Sequence, residues 1–132
     1  VIMVYGETPY AEGEGDTKSL DFSSKNSSII KAMSSLSKKD IPIISLFITG
    51  RPLIVDKELN LSSAFVSIWH PGTAVEGIND VIFSNKDNSI NHNFKGKLSF
   101  SWPSKTSTNP LNISDTEYNP LFKYGYGLSY EN

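Results

Sequence analysis

The sequence predicts an α/β fold: an open, mainly parallel sheet sandwiched by helices. Three observations carry this. The apolar run at 1–5 is continuous rather than alternating, the pattern of a strand buried on both faces, 41–50 reads as a second strand of buried type, and 63–69 is a third apolar run. Ile29, Ile30, Met33 and Leu36, and later Val75, Ile78, Val81 and Ile82, recur at helical spacing. Strands and helices also alternate along the chain, which favours a layered parallel sheet.

"VIMVY" (1–5) is the first strand, and an acidic, glycine-rich loop, "GETPYAEGEGD" (6–16), follows it directly. "SSKNSSIIKAMSSLSKKD" is a helix with Ser or Asn available as N-cap and Lys38 and Lys39 near its C-terminus, where the helix dipole favours cations. Its many serines make it intrinsically weak, so packing must hold it. "IPIISLFITG" (41–50) is a second buried strand ended by Gly50, and "GRPLIV" leads into a short irregular piece. "SAFVSIW" (63–69) is the third strand, closed by "HPG", and "VEGINDVIF" (75–83) is a helix. After a polar stretch, Leu98, Phe100 and Trp102 alternate with polar residues, so an edge strand is expected near 97–102. "NPLFKYGYGLSY" is dense in aromatics and glycines and reads as a packed extended segment. If the first three strands are parallel, the acidic loop, "GRP" and "HPG" share one rim of the sheet, where ligands gather in such folds.

One domain fits within 132 residues. A formal net charge of −2 offers no basic field for nucleic acid or an anionic membrane. The absence of cysteine excludes disulfides and thiolate metal sites. The longest apolar stretch, around Ile41 to Ile48, is too short to cross a bilayer. The chain opens within an apolar run rather than on an initiator Met, so an upstream region is expected to belong to it.

Glu7, Glu12, Glu14 and Asp16 crowd the first loop. They could bind a metal, form a solvated turn or supply a proton. The glycines fit neither G-x-G-x-x-G nor the P-loop, and EF-hand spacing is absent. Taken alone, acidic residues in such a loop read first as solvated turn residues. His70 and His92 have no partner spaced for zinc and read as loop histidines. Trp69, Trp102, Tyr124 and Tyr126 are core anchors or a sugar-stacking platform.

Five stretches in a set order narrow these choices: "GETPYAEGEGD", "LFITGRPLIV", "AFVSIWHPGTAVEGINDVIF", "FKGKLSFSWP" and "PLFKYGYGLSY". Together they resemble the second, α/β-sandwich domain of glycoside hydrolase family 3, the β-glucosidases and exo-acting β-glucanases, from Val1 to about Tyr130. The resemblance implies a complete enzyme whose upstream (β/α)8 barrel carries a nucleophilic Asp, and a sandwich domain, here N-terminally truncated, that lends a loop to the active site. In the similar exo-glucan glucohydrolase branch that loop reads G-E-x-P-Y-x-E-x-x-G-D, and its second Glu is the acid/base. That position is Glu12, with Gly6, Glu7, Pro9, Tyr10, Gly15 and Asp16 matching the frame. Glu7, Tyr10, Glu14 and Asp16 are then expected to shape the loop. Where the family often reads P-G-x-E-G-x-G after the Trp, this sequence has "PGTAVEGIND", with Ala74 and Val75 in place of Glu-Gly. The implied substrate is a β-linked gluco-oligosaccharide cleaved from its non-reducing end with retention. No cofactor is implied, and the family points to a periplasmic or extracellular setting. The segment by itself is expected to be inactive. The rival expectations are a non-catalytic carbohydrate-binding or partner-docking module and a flavodoxin-like domain of unrelated function.

Overall fold

The three apolar stretches form three strands of one parallel sheet. β1 (Ile2–Gly6) is followed by two helices, α1 (Phe22–Lys25) and α2 (Ser27–Ser37). β2 (Ile44–Ile48) leads to α3 (Asp56–Leu61), and β3 (Ala64–Ser67) to α4 (Glu76–Ile82). Two short strands, β4 (Trp102–Pro103) and β5 (Pro120–Phe122), come last. The structure is a computed structural model and describes residues 1–107 and 110–131.

The sheet order is β1-β2-β3, and both pairings are parallel, with Tyr5 beside Phe47 and Leu46 beside Val66. Spatial order follows chain order, so each link is a crossover carrying a helix and all three strands end on the same rim. The core sits on the face shared by Tyr5 and Phe47. Phe22 packs edge-on to Phe47 with ring centroids 5.0 Å apart, and Tyr5 lies 5.7 Å from Phe47. Met33 from α2 and Val55 before α3 are fully buried beside them. Asp21 starts α1 as an N-cap, its Oδ1 accepting from the Ser24 N–H at 3.2 Å.

Four local differences separate the structure from the sequence expectation. β1 is buried on one face only: Tyr5 packs inward, while Ile2 and Val4, on the opposite face of the pleat, are exposed. The piece after "GRPLIV" is helical, not irregular. Its signal is weak because α3 has six residues and its leucines, Leu59 and Leu61, stand two apart. Its first turn does carry Asp56 and Glu58, which suit a helix N-terminus. The strand expected near 97–102 narrows to Trp102–Pro103 and pairs antiparallel with β5, in a second sheet of its own. Upstream of it the backbone is held by single bonds instead of a ladder, from Leu98 N–H to Tyr126 O and from Gly125 N–H to Leu98 O. Finally, α4 begins at Glu76 and ends at Ile82, one residue inside the expected stretch at each end, with Val75 as an N-cap that makes no side-chain hydrogen bond.

Trp102 is a core anchor. It is buried, and its indole N–H donates to Leu53 O at 2.7 Å, tying the C-terminal segment to the loop after β2. Tyr124 and Tyr126 are exposed, Tyr126 stacking on Phe122 at 4.4 Å.

Candidate active site

The rim is built by close approach of β1 to β2. A Cβ at Gly6 would stand 1.8 Å from Ile48 O, so no other residue fits without moving the backbone. This contact lets the Glu7 N–H donate to Ile48 O at 2.8 Å and points the Glu7 carboxylate across the end of β2. There Thr49, fully buried, donates its hydroxyl to Glu7 Oε2 at 2.8 Å.

Arg51 completes the arrangement. Its Nη2 and Nε donate to Glu7 Oε1 at 2.9 and 3.2 Å, and its Nη1 donates to Gly15 O. The guanidinium carbon lies 4.4 Å from the centre of the Tyr10 ring, a cation–π contact. Tyr10 in turn covers Gly15 so closely that a Cβ there would meet the ring at 2.3 Å. Burial by itself would raise the pKa of Glu7. The hydrogen bonds from Arg51 and Thr49, with the charge of Arg51, outweigh it and hold the carboxyl below its ordinary value. A cleft of about 280 Å³ lies here, lined by Glu7, Tyr10, Thr17, Asp21 and Arg51 among others.

Above these pinned stems the loop turns back on itself. Gly13, at φ +85°, takes the left-handed conformation the turn needs, and Gly15 N–H and Asp16 N–H bond back to Ala11 O and Gly13 O. Glu12 lies at this tip and is exposed, as are Glu14 and Asp16. The acidic residues of the loop therefore part company. Glu7 is embedded in hydrogen bonds, while the side chains of Glu12, Glu14 and Asp16 face water.

The loops after β2 and β3 meet the first one. The place a Gly50 Cβ would occupy is 3.1 Å from Tyr10 Oη and 3.2 Å from His70 Nε2, so residues from all three strand ends converge at one point. Trp69, just before His70, has φ +55°, a strained conformation for a bulky residue. Its half-exposed ring packs edge-on to Phe100 at 5.8 Å. His92 is exposed in the polar stretch, away from this rim, where its N–H bonds to Asp80 O. Among the described residues no three His, Asp or Glu side chains gather to hold a metal, and no helix is long and apolar enough to cross a membrane. A larger, apolar cavity of about 380 Å³ lies between β3 and the C-terminal segment, walled by Phe65, Trp69, Trp102 and Phe122, and includes none of the acidic loop.

Residues 1–130 match the model of the glycosyl hydrolase family 3 C-terminal domain. The chain belongs to this family. Two curated members align with 98% of it, a β-xylosidase of Formosa agariphila at 27% identity and a periplasmic β-glucosidase of Salmonella typhimurium at 26%. The chain spans 19% of the length of each. Among solved structures, a mutant of the exo-1,3/1,4-β-glucanase of a Pseudoalteromonas species superposes on 99% of the chain with TM-score 0.93 and 46% identity, and the chain covers 21% of that protein. A mutant β-glucosidase of Listeria innocua, crystallised with laminaribiose, shares the fold at TM-score 0.70 and 24% identity over 98% of the chain and 20% of its own. The open parallel sheet with its helices is the fold of the family 3 C-terminal domain.

Sequence reasoning had no role for Thr49 or Arg51 in this family 3 domain, although it placed "GRP" at the rim. One signal was available. Arg51 is the only arginine in a chain whose other permanently cationic side chains are all lysine. A lone arginine one residue past a buried strand, on the same rim as a carboxylate-rich loop, marks a place where a planar fork of donors is needed.

Proposed function

We propose that this segment supplies the acid/base carboxyl of a retaining β-glucosidase or exo-β-glucanase, with Glu12 in that role. The substrate is a β-linked gluco-oligosaccharide, cleaved at its terminal non-reducing glucosyl residue. Retaining glycosidases set two carboxyl groups about 5–5.5 Å apart across the scissile bond. In this scheme an Asp of an upstream (β/α)8 barrel attacks the anomeric carbon. Glu12 gives its proton to the departing glycosidic oxygen, then takes one from the water that releases the glucosyl group. Glu7, Tyr10, Glu14 and Asp16 complete the loop without entering the chemistry.

The observation that carries this is the split within the loop. Glu12 is exposed at the tip of a turn whose two stems are fixed at the convergence of three strand ends, so a second domain can receive its carboxyl in a defined place. The 46% identity to an exo-1,3/1,4-β-glucanase supports a glucan over other glycans.

In the complete enzyme, Glu12→Ala should slow hydrolysis by about 10²–10⁴-fold for basic leaving groups and far less for activated aryl glucosides. Azide should restore turnover on the activated substrates, because it needs no general base. Equal loss on all substrates with no azide effect would remove Glu12 from the role. The isolated chain holds one carboxyl of the pair and should not turn over an aryl β-glucoside. Turnover above that of its Glu12→Ala variant would overturn the shared-site scheme.

A further inference from the structure

We infer that Arg51 is a positioning residue for the acid/base loop, fixing the stance of Glu12 by gripping both stems at once. The inference rests on the acid/base role proposed for Glu12. That residue lies between Tyr10 and Gly15, and Arg51 contacts the chain on either side of it. On the incoming stem it holds the Glu7 carboxylate at 2.9 and 3.2 Å and lies over the Tyr10 ring at 4.4 Å. On the outgoing stem it holds Gly15 O. All three guanidinium nitrogens are engaged by the protein. The remaining backbone bonds of the tip, Gly15 to Ala11 and Asp16 to Gly13, run within the turn and move with it. Apart from the Tyr10 hydroxyl on Glu7 Oε2 at 3.4 Å, no other hydrogen bond among the described residues ties residues 8–16 to the strand ends, and the next anchor is Thr17, whose Oγ1 accepts from Lys25 Nζ of α1 at 2.9 Å.

Lysine cannot substitute. It supplies the charge but not a planar fork reaching a carboxylate, a carbonyl and an aromatic face together. A proton donor must sit within hydrogen-bond reach of the departing oxygen, and a displacement of about 1 Å can cost about 10²-fold in rate. The loss should fall on the step that needs the proton. A residue that merely supported the fold would depress all substrates alike.

The test uses the complete enzyme with Arg51→Lys and Glu12→Ala, assayed on aryl β-glucosides of graded leaving-group basicity. Arg51→Lys should lose about 10²-fold in kcat on the most basic leaving groups, much less on the most activated ones, with KM little changed. Hydrogen exchange should quicken across residues 8–16 and stay unchanged in β2. Should Arg51→Lys fail to fold, Arg51→Gln, which keeps a single donor nitrogen and no charge, takes its place. A leaving-group-dependent Glu12→Ala beside a parallel loss in the Arg51 variant would overturn the positioning role alone, as would unchanged exchange in the loop. A Glu12→Ala variant with no leaving-group dependence would overturn the acid/base role, and the positioning role with it.

Discussion

Glu7 and Glu58 both lie largely inside the domain, but only Glu7 has partners. At the rim, one Glu7 oxygen receives two donors from Arg51 and the other the hydroxyls of Thr49 at 2.8 Å and Tyr10 at 3.4 Å. On α3, Glu58 is fully buried and neither of its carboxyl oxygens has a hydrogen-bond partner. Burial raises its pKa, and the nearby charges of Asp21 and Asp56 add to that against the opposing influence of its own backbone and Lys57. Tyr5, which faces it from β1, is likewise pushed up by burial, to about 12. The contrast separates two uses of an acidic side chain. A carboxylate that fixes geometry is surrounded by donors and stays charged, whereas one buried without donors is held toward its neutral form and works as a polar filler in the core. Glu12 belongs to neither class: its side chain is exposed at the tip of the loop.

The comparison breaks most sharply at the paired site. Glu7→Gln keeps the volume and removes the charge, leaving Arg51 half-buried without a counterion. Hydrogen bonds to charged groups contribute about 1.5–3 kcal/mol, and the Glu7 side chain is only 16% exposed, so solvent screens it little. A loss of about 2–3 kcal/mol is expected in urea unfolding at pH 7. A loss within error would show that the rim is held by its backbone contacts alone.

At the unpaired site the sign should reverse. Glu58→Met replaces a carboxyl that has no partner with an apolar chain of similar reach. The cost of an unsatisfied buried polar group is about 1–3 kcal/mol, so the variant should be more stable by about 1–2 kcal/mol. Destabilisation would mean that the carboxyl finds a donor in solution, and the contrast with Glu7 would collapse.

How much of this was legible in the sequence follows from the range of the interactions. The parallel sheet was legible because a strand such as Ile44–Ile48, with Ser45, Leu46 and Phe47 all buried, needs an unbroken run that shows in five residues. The shared rim was legible because parallel pairing forces strand ends together. What escaped depends on partners far along the chain. β4 exists only because Trp102 meets Phe122, and Glu7 acquires its role from Arg51, 44 residues away. Neither leaves a local period. Helix α3 is local but too short for its spacing to exceed chance. The loop around Glu12 had the opposite character. Its glycines announced a turn, and family resemblance rather than residue spacing distinguished Glu12 from Glu14.

The smallest expected effect, and the one that sets the two sites on a single axis, is the dependence of stability on pH. Both glutamates unfold to the same ordinary pKa of about 4.5. The folded Glu7 lies below it, so the unfolded chain binds more protons, and the stability Glu7 contributes is present above pH 4.5 and lost as pH falls through its folded value. The folded Glu58 lies above it, so the native state holds the extra proton, and stability declines as pH rises from 4.5 through the folded value. Asp21 is shifted downward, and Tyr5 titrates far above the window. Unfolding midpoints at closely spaced pH values for the wild type, Glu7→Gln and Glu58→Gln would resolve the two. The deficit of Glu7→Gln should shrink below pH 4.5, and the stability of Glu58→Gln relative to the wild type should rise as pH increases above it. A Glu58→Gln difference that stays flat from pH 4.5 to about 8 would mean that the buried carboxyl ionises as easily folded as unfolded. Water or a donor would then have to reach it, and Glu58 would join Glu7 as a partnered acid.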